Sequence, residues 1–305
     1  MHCSEGGKRM KIKKPVSTRI FEVLSVTILT LTAVVCVLPF LFVITGSFSS
    51  HASIAAQGYQ LIPKEWSLEG YRTILKNPEG LLRAYGVTTY VTVLGTVLGL
   101  FITTLAGYVL SRNEFRYRYT VSFLIYFTSI FGGGLIPWYY MYAGILGLKG
   151  TLAALWLPGL TAPFYIILMR TFARHSLPDA ITEAARIDGA GDFKIFYKIA
   201  LPLLKPALAT VGLFLALGYW NDWYNSSLFS KNSKTWELQF YLYNMVNKAE
   251  AAKDLAIRSH ISILNLPTES MKMAMAVIVT GPILLLYPFV QKYFVTGLTI
   301  GSVKG

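Results

Sequence analysis

Six long stretches of this chain carry no Asp, Glu, Lys or Arg, and that pattern constrains its fold more than any other feature. No such residue occurs from Val23 to Pro63. The intervals Arg83–Arg112, Arg118–Lys149, Lys149–Arg170, Lys205–Asp222 and Lys272–Lys292 enclose 28, 30, 20, 16 and 19 residues free of these charges. A helix needs about 20 apolar residues to cross a bilayer. Lipid offers a backbone no hydrogen-bond partners, so such runs cross as helices with internally paired backbones. The expectation is an all-α membrane protein with six transmembrane helices, the first over residues 23–46 and the fifth the shortest. The first run is too long for a signal-peptide core and lacks a small-residue cleavage site. Only 14% of residues are charged, against 54% hydrophobic, and mean hydropathy is +0.49. Soluble domains carry nearer a quarter charged residues.

The formal charge of +13 raises nucleic acid as a partner, but its distribution argues against that. With the N-terminus inside, seventeen Lys and Arg fall in the tail, in 112–118, in 170–205 and at the C-terminus; eleven fall outside. The excess is the positive-inside signature, and nucleic-acid binding explains nothing further. Cys3 and Cys36 sit in unlike settings and provide no disulfide framework or metal spacing. The chain divides into a cytoplasmic tail, 1–19; a first transmembrane helix with an extracytoplasmic loop, 20–82; a transmembrane domain, 83–296, containing a charged loop at 176–202; and a cytoplasmic tail, 297–305. The outer loops 48–83, with a helix expected from Ser67, and 226–270 are long enough to form partner surfaces.

Three features interrupt the apolar runs. Gly132-Gly133-Gly134 with Pro137 breaks the third, and Pro158 with Pro163 breaks the fourth. They either kink the helices for close packing or line a path, where irregular backbone is tolerated at membrane depth. Thr88, Thr92, Thr96 and Thr103 fall near one face of the second run, suited to interhelical hydrogen bonds or a polar lumen. The fifth run ends Tyr219-Trp220-Asn221-Asp222-Trp223-Tyr224-Asn225. That is either an interfacial aromatic belt or a sugar site. In the second reading rings stack on pyranose C–H faces and Trp220, Asn221, Asp222 and Tyr224 form the substrate path. A buried acid near a membrane end is costly and tends to be functional.

The loop 176–202 is short, charged and amphipathic. Ser176 and Asp179 form an S-x-x-D capping box with Pro178 in the first turn. The helix is expected to run to Ile187, with Leu177, Ile181, Ala184 and Ala185 near one face. Gly189 and Gly191 allow the chain to reverse. A second helix from Asp192 is expected to bury Phe193, Phe196, Tyr197 and Ala200, and Pro202 and Pro206 reset direction. Taken by itself this is a helix–turn–helix beside the membrane.

Its spacing is Glu183-Ala184-Ala185, three residues, Gly189, nine residues, Ile199, one residue, Leu201-Pro202. That resembles the EAA signature of importer-type ABC transporter permeases. The resemblance covers nearly the whole chain and is strongest to the MalG-like permeases of carbohydrate importers, in particular the LplC/YtcP type associated with complex oligosaccharides. The supporting residues are Phe40 with Ser47-Phe48-Ser49-Ser50, Phe131 to Pro137, Met169-Arg170-Thr171-Phe172, Trp220-Asn221, Tyr287 to Val295, and Gly297 with Gly301 to Gly305.

The resemblance implies a type I importer (MetI-like) fold with a cytoplasmic coupling helix. On that analogy Glu183, Ala184, Ala185, Asp188, Gly189, Leu201 and Pro202 engage an ATPase subunit. It further implies a second permease chain of LplB/YteP type, two copies of a sugar-importer ABC ATPase, an extracytoplasmic sugar-binding lipoprotein and a bacterial plasma membrane with both termini cytoplasmic. ATP and Mg belong to the ATPase subunits; no cofactor, catalytic residue or metal site is expected in this chain. No G-x-x-x-x-G-K-[ST] loop occurs, and His2, His51, His175 and His260 are scattered. An importer for a non-sugar solute, an ion-coupled transporter and a membrane enzyme are the alternatives. The last two call for acids, His or a second convergent carboxylate within the spans, and the runs hold none beyond Asp222 at one end.

Overall fold

The computed structural model describes residues 16–258 and 268–300. The basic residues of 1–15, part of the 226–270 loop and the terminal Gly301 to Gly305 lie outside the described residues. Helices dominate. An isolated antiparallel bridge, Ser49 to Trp66, accompanies them among the described residues.

Two of the expected spans are single helices: α1 (Val16–Ser47) and α4 (Pro78–Ser111). Between them lie two short helices, α2 (His51–Gln57) and α3 (Glu69–Ile74); the second starts close to the expected Ser67. Three further runs are bent pairs. α5 (Arg118–Ile130) turns by 112° into α6 (Leu135–Tyr140), which continues as a π turn. The break falls on the Gly triplet, where Gly134 has φ +83°. α7 (Ala153–Trp156), with a following 3-10 turn that carries Pro158, meets α8 (Pro163–Ser176) at 48°. α9 (Asp179–Ile187), α10 (Asp192–Ile195) and α11 (Leu201–Leu203) then lead, across a 79° bend, into α12 (Lys205–Trp220). α13 (Tyr224–Phe229), α14 (Leu238–Arg258) and α15 (Thr268–Ile300) complete the order. The run between Lys272 and Lys292 falls within α15.

Helix α4 is the axis of the bundle. Its 34 residues extend about 51 Å, and α8, α12 and α14 all pack on it. Its start is well specified: Asn77 Oδ1 accepts from Gly80 N at 3.1 Å and Pro78 occupies the first turn. Its buried face carries Val91, Gly95, Gly99, Thr103 and Gly107, one residue per fourth position. A Cβ on Gly95 would stand 2.5 Å from the Tyr219 ring, and one on Gly107 would stand 2.8 Å from Met169. The missing side chains therefore set how closely α12 and α8 approach. Small residues do this in membranes because apolar burial gives no net drive there, leaving dispersion and hydrogen bonds. Of the threonines, Thr88 makes an inter-element bond, accepting from Leu238 N at 2.7 Å. The hydroxyls of Thr92, Thr96 and Thr103 are buried with no partner among the described residues.

The first span packs on α15. α1 exposes apolar side chains from Ile20 to Ile44, as expected of a helix facing lipid or another chain. Its end is anchored: Thr45 Oγ1 donates to Gln60 O, Tyr71 OH donates to Ser47 Oγ, and Gly46 lies against Met273 of α15.

Gly95→Ala should lower the thermal midpoint in detergent, by about 1–3 kcal/mol of stability, as over-packing does. Gly86→Ala, on the same helix with nothing within 4 Å of the added carbon, should not. Equal midpoints for the two variants would overturn the close-approach role of Gly95.

Candidate functional site

Two places concentrate the residues singled out by sequence: the charged hinge and the end of α12. In the hinge, α8 continues through Ser176, whose backbone is helical, with Leu177 N donating to Ala173 O. Ser176 therefore does not cap the next helix, and the expected capping box is absent. Pro178 precedes α9 instead, and no side chain caps it. Thr182 Oγ1 donates back to Asp179 O at 2.7 Å.

Helix α9 ends at Ile187, as expected. Gly189 N donates to Arg186 O at 2.9 Å and Ala190 N donates to Ala185 O at 2.9 Å, the two bonds of a Schellman motif. Gly189 sits at φ +76° with open space around a would-be Cβ, so glycine is required there for backbone reasons, about 1–2 kcal/mol for most side chains. Gly191 is extended, φ −70°, ψ 161°, and does not share that need.

The hinge has two faces. Leu177, Thr182 and Ala185 turn inward, and Leu177 joins Tyr108, Phe196 and Ala200 in an apolar cluster with Leu201 beside it. Glu183, Ala184, Asp188 and Pro202 face outward. Glu183 forms no ion pair among the described residues. Leu177, Ile181, Ala184 and Ala185, expected together on one face that another protein could approach closely, are divided: Ile181 and Ala184 are exposed, whereas Leu177 and Ala185 are buried. Phe193 and Tyr197, expected to be buried, are 88% and 73% exposed. The cause is local. After one turn of α10 the chain forms a π turn over Phe196–Ala200, so Ile195, Phe196 and Ala200 face the cluster and Phe193 and Tyr197 share the opposite side. Ile187, at the end of α9, is 87% exposed as well.

At the other end of α12, an open cavity of about 220 Å³ lies between α8 and α12. Tyr165, Phe214, Tyr219, Asp222 and Asn225 line it, with Gly159 and Gly218 leaving room. The Tyr165 and Phe214 rings stack with planes 10° apart. Tyr219 OH donates to Trp156 O at 2.9 Å. Asp222 accepts from Tyr224 N and Asn225 N through Oδ1 and from Asn225 Nδ2 through Oδ2, which turns its carboxylate back over the start of α13.

Of the four path residues expected from sequence, Asp222 alone lines this cavity. Trp220 points to the other side of α12, where Nε1 donates to Val279 O at 3.1 Å and the ring lies 6.4 Å from that of Tyr85. Asn221 bonds Leu217 O and accepts from Gln239. Tyr224 is exposed beside Trp223. Tyr165 and Phe214 were not singled out; nothing in the sequence near them marks a site.

Close by is a buried acid with no sequence signal. Glu237, just before α14, is fully buried. Ser226 Oγ donates to its Oε2 at 2.7 Å and Glu237 N donates to Ser226 Oγ, while its Oε1 has no partner among the described residues. Burial, with the nearby Asp222 charge adding to it, pushes the carboxyl up to about 9, so it is neutral at neutral pH.

Residues 12–300 match the family described as "Binding-protein-dependent transport system inner membrane component". The chain is 37% identical to Protein LplC of Bacillus subtilis (strain 168) over 289 residues, covering 94% of this chain and 96% of the other. It is 37% identical to the polygalacturonan/rhamnogalacturonan transport system permease protein YtcP of the same strain over 288 residues, covering 94% and 99%. The trehalose/maltose transport system permease protein MalG of Thermococcus litoralis is 30% identical over 282 residues, covering 90% and 94%. A chain in the crystal structure of a bacterial ABC transporter involved in the import of the acidic polysaccharide alginate superimposes with a TM-score of 0.78. Identity there is 30%, with 93% of this chain and 100% of that chain covered.

The buried acid makes a pH prediction. The folded form keeps the Glu237 proton up to about 9, whereas the unfolded form loses it near the ordinary carboxyl value of about 4.3. The unfolded form thus binds fewer protons between those values, and stability falls as pH rises through that window. The thermal midpoint should decline from pH 5 to pH 9 and flatten above. Glu237→Gln should remove that decline, and an unchanged profile in the variant would refute a neutral Glu237.

Proposed function

Because the chain belongs to the family of binding-protein-dependent transport system inner membrane components, we propose that it is one of two permease chains in an ATP-driven importer for a sugar of the complex-oligosaccharide class. It crosses a bacterial plasma membrane six times with both termini in the cytoplasm, and it supplies half of the translocation path. ATP is hydrolysed in two copies of a separate ATPase subunit, which hold the ATP and Mg. A second permease of LplB/YteP type completes the path, and an extracytoplasmic sugar-binding lipoprotein delivers the substrate to loops 48–83 and 226–270.

The observation that carries this reading is the outward face of α9. Glu183, without an ion pair among the described residues, the small Ala184 and the acidic Asp188 are exposed, and so are the large apolar Ile187, Phe193 and Tyr197 of the same hinge. Exposed aromatics and charges on one hinge fit the anatomy of a protein–protein contact. Glu183 pairs with a basic group of the ATPase. Ala185, Gly189 and Leu201 hold the hinge in shape behind that face, and Pro202, exposed like Glu183, adds to the surface that the ATPase engages. Alternating access follows: closure of the ATPase pair displaces α9 and opens the cavity outward, and hydrolysis resets it inward.

The sugar assignment draws on the relatives named for polygalacturonan, rhamnogalacturonan and alginate and on the cavity itself. The Tyr165 and Tyr219 rings offer faces for pyranose C–H groups. Asp222 and Asn225 accept and donate to hydroxyls. Trp220, Asn221 and Tyr224 lie at the same helix end, and the backbone amide of Tyr224 helps to hold the Asp222 carboxylate.

Two measurements test the reading. Ile187→Asp or Glu183→Lys should leave membrane insertion intact but weaken retention of the ATPase subunit, by roughly 30-fold for a buried contact anchor. Undiminished retention and uptake would remove α9 from the contact. Tyr165→Ala and Asp222→Asn should each reduce sugar-stimulated ATPase activity of the complete complex by roughly tenfold, the loss expected when one good substrate contact goes. Unchanged stimulation would assign the cavity to packing alone.

A further inference from the structure

The link between α4 and α5 is six residues long, 112–117, and its first three residues grip α9 at both ends. Arg112, with a side chain only 7% exposed, pairs with Asp179 Oδ1 at 3.4 Å. Its Nη2 donates to Leu177 O at 3.0 Å, its Nη1 to Thr182 Oγ1 at 3.5 Å and its Nε to Ser111 Oγ at 3.2 Å. The guanidinium also lies 5.4 Å from the centre of the Tyr108 ring. Asn113 Nδ2 donates to Asp179 Oδ2 at 2.5 Å. Glu114 closes the far end: Arg186 Nη1 lies 2.8 Å from Oε1 and Nη2 donates to Oε2 at 3.1 Å, a two-pronged pair, while Nη2 also reaches Asp192.

Beyond these contacts α9 is held by the burial of Thr182 and Ala185 and by its two chain joints, Pro178 before it and Gly189 after it. Either would let the helix tilt under load while the spans stayed still. Arg112 removes that freedom. It is buried, so breaking its contacts leaves a charge and the Leu177 carbonyl unpaired in a poorly hydrated place. Its planar fork serves a carboxylate, a hydroxyl and a carbonyl together, which the single ammonium of Lys cannot reproduce. Glu114 and Arg186 are about four-tenths exposed, and such a pair adds little stability. What they add is direction, by holding the C-terminal end of α9 to the same short link.

We infer that Arg112, Asn113 and Glu114 form a clamp that makes α9 and the adjoining end of α4 move as one body, with Arg112 as a positioning residue for force transfer. The inference rests on α9 being the element that the ATPase engages. A displacement of α9 then enters α4, the helix on which α8 and α12 pack through Gly107 and Gly95, and so reaches both walls of the cavity. Without the clamp the displacement would reach the spans only through the chain itself, into α8 across Pro178 and into α12 across the 79° bend before it.

The test uses the complete complex in proteoliposomes and reads three quantities: ATPase subunit retained, ATP hydrolysed, and sugar moved per ATP. Arg112→Ala and Arg112→Lys should keep the subunit and hydrolysis but lower sugar per ATP by roughly tenfold. The exposed pair offers a route that does not disturb folding. In an Asp192→Asn background, Glu114→Arg should lower the ratio and Glu114→Arg with Arg186→Glu should restore it. Normal sugar per ATP in every variant overturns the clamp. Loss of the ATPase subunit from Arg112→Ala to the extent seen with Glu183→Lys also overturns it, because Arg112 would then merely shape the docking face. Glu183→Lys serves as the separate control: full retention of the subunit in that variant refutes docking on α9 itself. Should Arg112→Ala fail to insert, the Glu114 and Arg186 series decides.

Discussion

Everything in this bundle depends on how closely α8 and α12 approach α4. In lipid an apolar side chain gains nothing by leaving its solvent for another helix, so association rests on contact area and on hydrogen bonds. The sequence meets that constraint with Gly95, Gly99, Thr103 and Gly107 on one line of α4. The Tyr219 ring fills the space that Gly95 vacates, and its hydroxyl bonds Trp156 O. One ring therefore joins α4, α7 and α12. The same ring is a wall of the cavity, so packing and site share an atom set.

The hinge meets a different constraint, because it must serve two environments. Its inward residues, Leu177, Ala185, Phe196 and Ala200, extend the bundle's apolar core. Its outward residues keep exposed groups that a free-standing protein would bury. Ile187, Phe193 and Tyr197 are unsatisfied as a monomer surface, and patches of that kind mark contact sites. The π turn at Phe196–Ala200 is what separates the two sets. A regular α-helix from Asp192 would carry Phe193 and Tyr197 on one stripe with Ala200, turning that stripe to one side only.

Much of this was legible in the sequence because it rests on strong local signals. Charge-free runs, the Gly triplet, the paired prolines and Gly189 each dictate backbone behaviour whatever surrounds them. The failures share a cause of the opposite kind. Ser176 reads as a cap, yet whether α8 has stopped by then is decided by its packing. Phe193 and Tyr197 read as core because hydrophobicity does not reveal which side of a π turn they take. Trp220 reads as a site residue within its aromatic cluster, but the bond from its indole to Val279 O turns it toward α15. Glu237 and Arg112 carry no local signal. Their environments are made by residues 11 to 150 positions away, Ser226 and Leu238 with Thr88 in one case, Leu177 and Thr182 in the other.

Those two residues also define what the fold can transmit. Arg112 joins the hinge to one end of α4; Thr88, by accepting from the first backbone amide of α14, joins the other end to the segment that holds Glu237. Between them the buried face of α4 keeps three threonine hydroxyls without partners among the described residues and interlocks with Tyr219 of α12 at Gly95 and with Met169 of α8 at Gly107. Directional polar contacts hold the helix at Arg112 and Thr88, and close packing joins it to its neighbours between them. A helix held in that way moves together with α8 and α12 instead of sliding past them. That coupling follows from where the sequence places charge, hydroxyl and glycine along a single helix.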